Sequence, residues 1–437
     1  MLLLLKTLAL LLTLGCLAYL GWKRPGSLVY VLAAAVALDI SSTWYPSLGS
    51  SGAFGMVSLA RIVTVVITLA AALRLWREPL QRDKLKWAFK QPLTRAFILY
   101  IGVGALSILV SVGRMKSLTE VVRLISLFVL FLSLIVLAER KQAWKLLGVV
   151  QWVGVALSPL ALYEGKTLHF LWYANLATGE IARVNATFVD PNIFARYLAL
   201  GIVSNLLLFY HEKRPKFKAI YIVSLLALLA ALTVTLSRSG LLTTVLALIM
   251  LIILLPRTGI MMPAGLMTLF GGMIVILRPT VYERLATLKQ GVGAVDEQRL
   301  YLWKAAWAMF RSHPLLGVGL GGFQQTFLKY YSALKTVPYG ATLSHTTLMT
   351  IAAELGALGL LALAWVLVCA FRGLWRLRRL DNAAYVPGVG YLLWFLAVFI
   401  SSQSEARFFE DPMIWLSMAM LLTLGYIDRE GKNSFGA

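Results

Sequence analysis

Apolar runs of the length of a membrane-spanning helix recur along most of the chain and are separated by short polar segments. A helix needs about 20 mainly apolar residues to cross a bilayer. The pattern therefore predicts an all-α polytopic membrane protein with about 12 or 13 transmembrane helices. The predicted spans are 2–20, 27–44, 53–75, 94–112, 118–138, 144–163, 193–210, 218–236, 240–255, 259–277, 346–371, 384–402 and 411–427.

Composition agrees with this pattern and excludes several classes of protein. The chain has 437 residues, of which 59% are hydrophobic and 14% are charged, whereas about a quarter of a soluble domain is charged. So much apolar surface cannot be hidden in one water-soluble core, which excludes a soluble enzyme and a disordered chain. The two cysteines, Cys16 and Cys369, lie in apolar runs and indicate neither a disulfide nor a metal site. We interpret residues 1–437 as a single transmembrane domain that begins with an uncleaved span.

The distribution of positive charge predicts which loops share a side of the membrane. The formal net charge is +22, and Lys and Arg concentrate in four short loops, 77–90, 139–145, 213–218 and 372–379. Loops rich in Lys and Arg stay in the cytoplasm, and even numbers of predicted spans separate these four. The opposite, outer side then receives two long segments, a smaller loop over 164–192 and a larger one over 278–345.

The larger outer loop contains two predicted amphipathic helices, Glu297–Ser312 and Phe323–Leu334. Apolar side chains recur on one face of each at a spacing of three or four residues. They are Leu300, Trp303, Trp307 and Phe310 in the first helix and Phe327, Tyr330, Tyr331 and Leu334 in the second. Aromatic-rich helices of this kind lie in the membrane interface; alternatively, they cap the helix bundle.

Polar residues at the outer ends of the spans are the first candidates for chemistry. Asp190-Pro191-Asn192 opens a span with residues that are also ordinary helix-start signals. Arg183 has no comparable structural reason for its position. Arg238 stands between Ser237 and Ser239 in a connection with almost no loop to spare. Its planar guanidinium matches phosphate oxygens, and the N-terminus of a helix favours anions.

Three more polar residues follow on the outer side. Arg299 lies in the first amphipathic helix, where it points either inward or into solvent. His345 opens a span, and its imidazole is either a structural hydrogen-bonding group or a base that accepts a proton near pH 7. Glu354 lies two and a half turns deeper, so we expect it to be paired or neutral and to support the site.

In their order, spacing and common sidedness, four motifs resemble the O-antigen ligase and O-antigen polymerase superfamily over roughly residues 180–360. The motifs are Arg183…Asp190-Pro191-Asn192, Ser237-Arg238-Ser239-Gly240, Arg299…Pro314-Leu315-Leu316-Gly317-Val318-Gly319 and His345-Thr346…Glu354-Leu355-Gly356. The resemblance implies a GT-C-type glycosyltransferase at the periplasmic face of the bacterial inner membrane. Members take a glycan from undecaprenyl diphosphate without a metal or a nucleotide sugar, and ligases place O-antigen on lipid A-core.

The resemblance also implies roles for individual residues. His345, Arg238 and Arg299 are the catalytic residues. Both arginines bind the donor diphosphate together with Arg183 and Asn192, and Asp190, Ser237 and Glu354 support them. One departure is that the typical His-Asn pair of the family is His345-Thr346 here. We expect no cofactor and no metal. The expected partners are the undecaprenyl-diphosphate-linked O-antigen donor, the lipid A-core acceptor and membrane lipids, but not nucleic acid.

Two kinds of alternative stay open at this point. An O-antigen polymerase and a protein O-oligosaccharyltransferase of the same superfamily fit the same motifs, although we favour the ligase. A transporter of lipids or solutes is an alternative of a different class. It would show inverted repeats, broken helices and ionisable residues near the bilayer midplane, where the sequence places only Arg61 and Arg123.

Overall fold

The computed structural model describes residues 2–46, 57–172, 175–177, 181–255, 261, 265, 267, 297–331, 343–380, 382–405 and 408–426. The helices are α1 (Leu2–Lys23), α2 (Leu28–Ala35), α3 (Leu59–Arg77), α4 (Pro79–Lys90), α5 (Pro92–Ser107), α6 (Arg114–Leu137), α7 (Ala143–Thr167), α8 (Pro191–His211), α9 (Pro215–Val234), α10 (Arg238–Leu254), α11 (Glu297–Ser312), α12 (Phe323–Tyr330), α13 (Thr347–Leu380), α14 (Asn382–Ser401) and α15 (Pro412–Gly425). A small antiparallel hairpin joins β1 (Asn175–Ala177) to β2 (Ile181–Arg183). The predicted all-α class is confirmed, because in the described part of the chain this hairpin is the one β-sheet.

Nine helices of the described residues are long and apolar enough to cross a membrane, which confirms a multi-pass membrane protein. Each predicted span contains a helix except 259–277, which lies almost wholly outside the described residues. The predicted span 27–44 is the main difference, since its α-helix ends at Ala35. A 3-10 turn follows, in which Ser42 Oγ donates to Asp39 O at 2.9 Å and Thr43 Oγ1 donates to Ile40 O at 2.8 Å. Such local side-chain bonds compete with a continuous helix.

The four basic loops gather at one end of the bundle, as their predicted common sidedness requires. Lys84 Nζ in α4 donates to Ala138 O at 2.6 Å, which joins the 77–90 and 139–145 loops. The ring of Trp144 stacks on His211 at 4.0 Å between centroids, which brings in the 213–218 loop. Arg376 Nη1 near the end of α13 donates to Gln91 Oε1 at 3.1 Å, directly after α4, which brings in the fourth loop. We call this end, formed by residues 77–91, 138–145, 211–218, 372–380 and 382–385, the basic end.

The predicted outer segments meet at the other end of the bundle. Val184 N donates to Val234 O at 3.4 Å, Leu320 N donates to Ser107 Oγ at 3.0 Å, and Thr347 Oγ1 donates to Ser402 O at 3.0 Å. We call this end, formed by residues 107–117, 164–172, 181–190, 235–240, 314–323, 344–350, 401–405 and 408–411, the polar end.

The two arginines expected at the midplane lie towards the polar end instead. Arg61 is in the first turn of α3, which begins there at Leu59. Arg123 Nη1 pairs with Glu120 Oε2 at 2.9 Å and with Glu410 Oε1 at 3.1 Å, and Glu410 belongs to the α14–α15 connection. The midplane prediction for both residues is therefore wrong, because acidic partners at the polar end hold Arg123 and the start of α3 fixes Arg61.

Helix α13 is broken at Gly356, whose φ of +62° is not helical. The segment 314–319 inserts its backbone into the break. Val318 N donates to Ala353 O at 2.9 Å and Gly319 N donates to Glu354 O at 3.0 Å on one side. On the other side, Ala357 N donates to Pro314 O at 2.8 Å and Leu358 N to Leu315 O at 3.2 Å. Two carbonyl and two N–H groups of α13 beside the break are therefore paired with the segment 314–319, as an apolar environment requires.

The glycines of this segment are needed for its close approach to α13 and to Ser111, which precedes α6. Gly317 and Gly319 both have positive φ. A Cβ on Gly317 would lie 2.3 Å from the carbonyl carbon of Glu354, and one on Gly319 would lie 2.4 Å from the Cβ of Ser111. The carboxylate of Glu354 completes the contact by accepting from Gly321 N at 2.8 Å and Phe323 N at 3.2 Å.

Helices α11 and α12 cap the outer half of α13. Helix α11 has the predicted bounds, and the face that it buries is not the aromatic one. Its buried residues, which pack with Val318, Phe323, Phe327 and Ala353, are Leu302, Ala305, Ala306 and Met309. Trp307, on the aromatic face, is 53% exposed. Helix α12 buries Phe323 and Phe327 and ends at Tyr330, whereas Leu334 lies outside the described residues.

We predict that Gly356→Ala lowers the unfolding temperature of the protein in detergent micelles by several degrees. The new Cβ would lie 2.5 Å from the carbonyl carbon of Leu315, at a φ that side chains adopt only with strain. The matched control is Gly148→Ala in α7, where a Cβ meets nothing within 4 Å and alanine favours the helix. Equal unfolding temperatures for the two variants would contradict the interlocking of 314–319 with α13.

Candidate active site

The first group of predicted site residues is joined by hydrogen bonds around Asn192. Its Oδ1 accepts from Arg183 Nη2 at 2.7 Å and from Ser237 Oγ at 2.8 Å. Arg183 Nε also donates to Thr235 O at 3.3 Å, at the C-terminal end of α9. The expectation that Arg183 has no structural reason for its position is wrong, because its guanidinium binds a terminal helix carbonyl and fixes the side chain of Asn192.

Two helix caps bring this group together. Asp190 Oδ1 accepts from Asn192 N at 2.7 Å as the N-cap of α8, so the ordinary helix-start interpretation of Asp190 is confirmed. Ser237 caps α10 by accepting from Gly240 N at 3.2 Å. The residue between the α9 end and this cap, Leu236, has a φ of +51°.

Arg238 is the first residue of α10, and its side chain is exposed. The positive end of the helix dipole lies beside its guanidinium, and the hydroxyls of Ser237 and Ser239 lie 3.1 Å from each other next to it. This arrangement presents donors of hydrogen bonds and positive charge at the surface of the polar end. An anionic ligand such as a phosphate would be stabilised there.

The second group of predicted site residues lies around the start of α13. His345 is half-buried, and its φ of +56° is a left-handed conformation that a non-glycine residue adopts at a cost of about 1–2 kcal/mol. Ser344 Oγ holds the turn by donating to Thr346 O at 2.9 Å. Trp303 Nε1 in α11 donates to Thr346 Oγ1 at 2.9 Å, so the residue that replaces the asparagine of the family pattern connects α11 to the histidine turn.

The connection between α14 and α15 contacts the second group and also binds α8. Arg299 Nη2 donates to Ser404 O at 3.3 Å, and Leu348 N donates to Gln403 Oε1 at 3.3 Å, one turn from His345. On the other side, Arg196 pairs with Glu405 Oε2 at 3.3 Å and with Asp411 Oδ2 at 3.0 Å. Arg196 lies one turn beyond Asn192 on α8. We call residues 401–405 and 408–411 the site connection, because they fasten α8, α11 and α13 at the polar end.

The buried ion pairs of Arg196 were not predicted from the sequence. Arg196 stands in an apolar run, and three acidic residues, Glu405, Glu410 and Asp411, follow α14. An arginine inside a span needs an acidic partner. That requirement, applied to Arg196, would have indicated Glu405 and Asp411.

The predicted site residues therefore form two groups at one end of the bundle. Arg183, Asp190, Asn192, Ser237 and Arg238 make up the first group, and Arg299 and His345 belong to the second. Glu354 joins neither group, because its carboxylate binds the backbone of Gly321 and Phe323. In the described residues, no three His, Cys, Asp or Glu side chains come together where they could hold a metal ion.

These features define a class of protein: a multi-pass helical membrane protein with a cationic, hydrogen-bonded site at one end of its bundle. Residues 222–364 match the family model described as O-Antigen ligase. The match confirms the predicted resemblance over this third of the chain, which is similar to the O-antigen ligase family. The match contains Ser237, Arg238, Arg299, His345 and Glu354, and it begins after Arg183 and Asn192. No curated protein matches the chain significantly.

The family match indicates activity of the O-antigen ligase or polymerase type, which is that of a glycosyltransferase-like enzyme. In general terms, the partners that such a family implies are a lipid-linked polysaccharide and lipid A-core.

We predict that Arg196→Met lowers the free energy of unfolding by about 3–5 kcal/mol, because Glu405 and Asp411 would be left buried without their cation. Chemical unfolding in mixed micelles measures the effect. The matched control is Arg214→Met, since Arg214 pairs with Glu212 on the exposed surface of the basic end and such pairs contribute little. Equal stability of the two variants would show that the site connection does not depend on Arg196.

Proposed function

We propose that this protein transfers O-antigen glycan from undecaprenyl diphosphate to a sugar hydroxyl of lipid A-core at the periplasmic face of the bacterial inner membrane. The observation that carries the proposal is that Arg238, Arg299 and His345 all lie at the polar end, where the site connection binds Arg299 and contacts α13 one turn from His345. The sidedness follows from the basic end, because loops rich in Lys and Arg stay in the cytoplasm. The polar end then faces the periplasm, where both lipid-linked glycans are available.

Arg238 and Arg299 stabilise the diphosphate as it leaves. In a single displacement, the acceptor hydroxyl oxygen attacks the anomeric carbon of the donor glycan, the bond from that carbon to the diphosphate oxygen breaks, and the configuration inverts. The negative charge that develops on the diphosphate needs donors that are already in place. A preorganised donor contributes about 3 kcal/mol to such a step. The exposed position of Arg238 at the start of α10 supports this role.

His345 takes the proton from the acceptor hydroxyl as the new glycosidic bond forms. A general base contributes about 10²–10⁴-fold to a transfer of this kind. The left-handed backbone of His345 supports the role, because strain of this type persists where the surrounding structure fixes a side chain for function. Thr346 and Trp303 hold the turn in this chain, where the family pattern has an asparagine.

The remaining predicted residues position this machinery. Arg183 and Ser237 fix Asn192, whose amide nitrogen is available to a phosphate oxygen. Asp190 fixes the start of α8. Glu354 holds α12 and the glycine segment against α13, and so supports the histidine turn from behind. The exposed apolar side chains Trp307, Leu315 and Leu328 support lateral entry of lipid substrates near α11 and α12.

We predict that His345→Asn reduces glycan transfer by about 10²–10⁴-fold. Asparagine tolerates the left-handed backbone but offers no base. Purified variants are compared in micelles by the initial rate of transfer to rough lipopolysaccharide, with unfolding temperature as a check of folding. His313→Asn is the matched control, because His313 is exposed just after α11 and its imidazole contacts the hydroxyl of the neighbouring Ser312. A His345→Asn variant that transfers at the rate of the control would refute the role of general base.

We predict that Arg238→Lys reduces transfer by about 10²-fold, because an ammonium lacks the planar fork that binds two phosphate oxygens. Arg311→Lys, at an exposed position of α11, should transfer normally in the same assay. If both variants retain the normal rate, positive charge at the polar end acts only diffusely, and the proposed contact with the diphosphate fails.

The decisive experiment for the function combines purified protein, lipid-linked O-antigen, rough lipopolysaccharide and EDTA. Ladder formation on the lipopolysaccharide supports the ligase and a route without a metal. Longer lipid-linked chains, with no product on lipopolysaccharide, would identify a polymerase instead. Transfer to neither acceptor in EDTA, restored by a divalent cation, would overturn the metal-free mechanism.

A further inference from the structure

A second cationic feature lies at the basic end, far along the bundle from the candidate active site. A cleft of about 110 Å³ opens there between the α4–α5 junction, the inner half of α13 and the end of α15. Its walls are mainly apolar, with Leu93, Leu377, Leu421 and Leu422 among them, and Arg372 and Arg376 are its two charged residues. No acidic residue lines it.

The structure holds one of these arginines in place. Arg376 Nη1 donates to Gln91 Oε1 at 3.1 Å. Gln91 is itself buried, and its Nε2 donates to Trp87 O at 3.2 Å. A neutral amide thus orients the guanidinium without neutralising its charge. The guanidinium of Arg372 lies over the ring of Trp365, about two turns earlier on the same helix, at 5.5 Å from the ring centroid.

The acidic residues described at the basic end pair with bases other than these two arginines: Glu78 with Arg74, Asp83 with Lys86, Glu139 with Lys141 and Glu212 with Arg214. None of the salt bridges among the described residues involves Arg372 or Arg376. In the described part of the chain, two guanidiniums that no acid neutralises therefore border an apolar cleft.

The same two arginines also line a wider depression on another side of α13, of about 460 Å³. Its other lining residues include the apolar side chains Leu254, Phe371 and Leu374. Apolar space thus lies on two sides of one pair of guanidiniums. An anion that carries apolar chains satisfies both features, whereas a free phosphate would leave the apolar walls uncovered.

We infer that the cleft beside Arg372 and Arg376 binds an anionic glycerophospholipid from the membrane leaflet at the basic end. The phosphate accepts hydrogen bonds from the two guanidiniums, and an acyl chain lies in the cleft between Leu377 and Leu421. Basic pockets between membrane helices recognise anionic lipid headgroups by this combination of charge and apolar surface. The inference does not depend on the proposed function, since the site is at the other end of the bundle.

Lipid binding to the purified full-length protein in micelles tests the inference, with phosphatidylglycerol and phosphatidylcholine as probes and native mass spectrometry as the readout. We expect phosphatidylglycerol to bind more tightly than phosphatidylcholine. The Arg372→Gln/Arg376→Gln variant should lose about tenfold in affinity for phosphatidylglycerol. Arg378→Gln is the matched control, because Arg378 is on the same helix but lines neither cavity.

A second variant separates the apolar contact from the charge. Gly373 lines the cleft, and a Cβ on it would meet only the side chain of Leu421, at an ordinary 3.5 Å. Gly373→Leu should therefore fold and fill the cleft. It should weaken the binding of phosphatidylglycerol although both arginines remain. The inference is overturned if phosphatidylcholine binds equally well, if Arg378→Gln weakens binding as much as the double variant, or if neither the double variant nor Gly373→Leu changes the affinity.

Discussion

The polar end of this protein depends on one constraint: a break in a membrane helix must have its backbone groups satisfied by the protein itself. At Gly356, the groups freed in α13 are bound by the backbone of 314–319. This exchange fixes the glycine segment against α13, and the carboxylate of Glu354 adds the start of α12. Helix α11 then packs on the same surface through Met309. The histidine turn therefore stands at the end of a short, firmly held half-helix.

Buried charge supplies the second level of organisation. The site connection carries Glu405 and Asp411 to Arg196 on α8, so an ion pair in the bundle fixes where the chain between α14 and α15 lies. Its backbone carbonyls then receive Arg299 and Thr347. Removing one partner of a buried pair leaves an uncompensated charge. The geometry of α11 and α13 at the polar end is thus coupled to α8, although these helices are far apart in the chain.

Much of the fold could be predicted because periodicity and length report on the membrane directly. The bounds of α11 and the common end of the basic loops are of this kind. The failures share a cause, which is that partners distant in sequence decide the outcome. The periodicity of α11 left open whether the helix lies in the membrane interface or caps the bundle, and it did not show that α13 and α12 pack against the face with Ala305 and Ala306. Arg183 looked functional because the carbonyl of Thr235, 52 residues away, could not be foreseen.

The candidate site was predictable as a set of residues but not as a geometry. The motifs pointed to Arg238 and His345 as candidates, whereas the site connection carries no recognisable motif. The one sign of it in the sequence was Arg196, an arginine in an apolar run that needs an acidic partner.

The broken helix bears on the choice between transfer and transport. Transporters use helix breaks to expose backbone groups to ions and substrates near the midplane. Here the break at Gly356 lies near the polar end, and segment 314–319 already binds the backbone groups on both sides of it. Arg123, which the sequence places near the midplane, pairs with Glu120 and Glu410 at the same end. A break closed in this way serves rigidity rather than ion binding. Rigidity is what a site needs when its guanidiniums must stand ready for charge that develops only during the reaction.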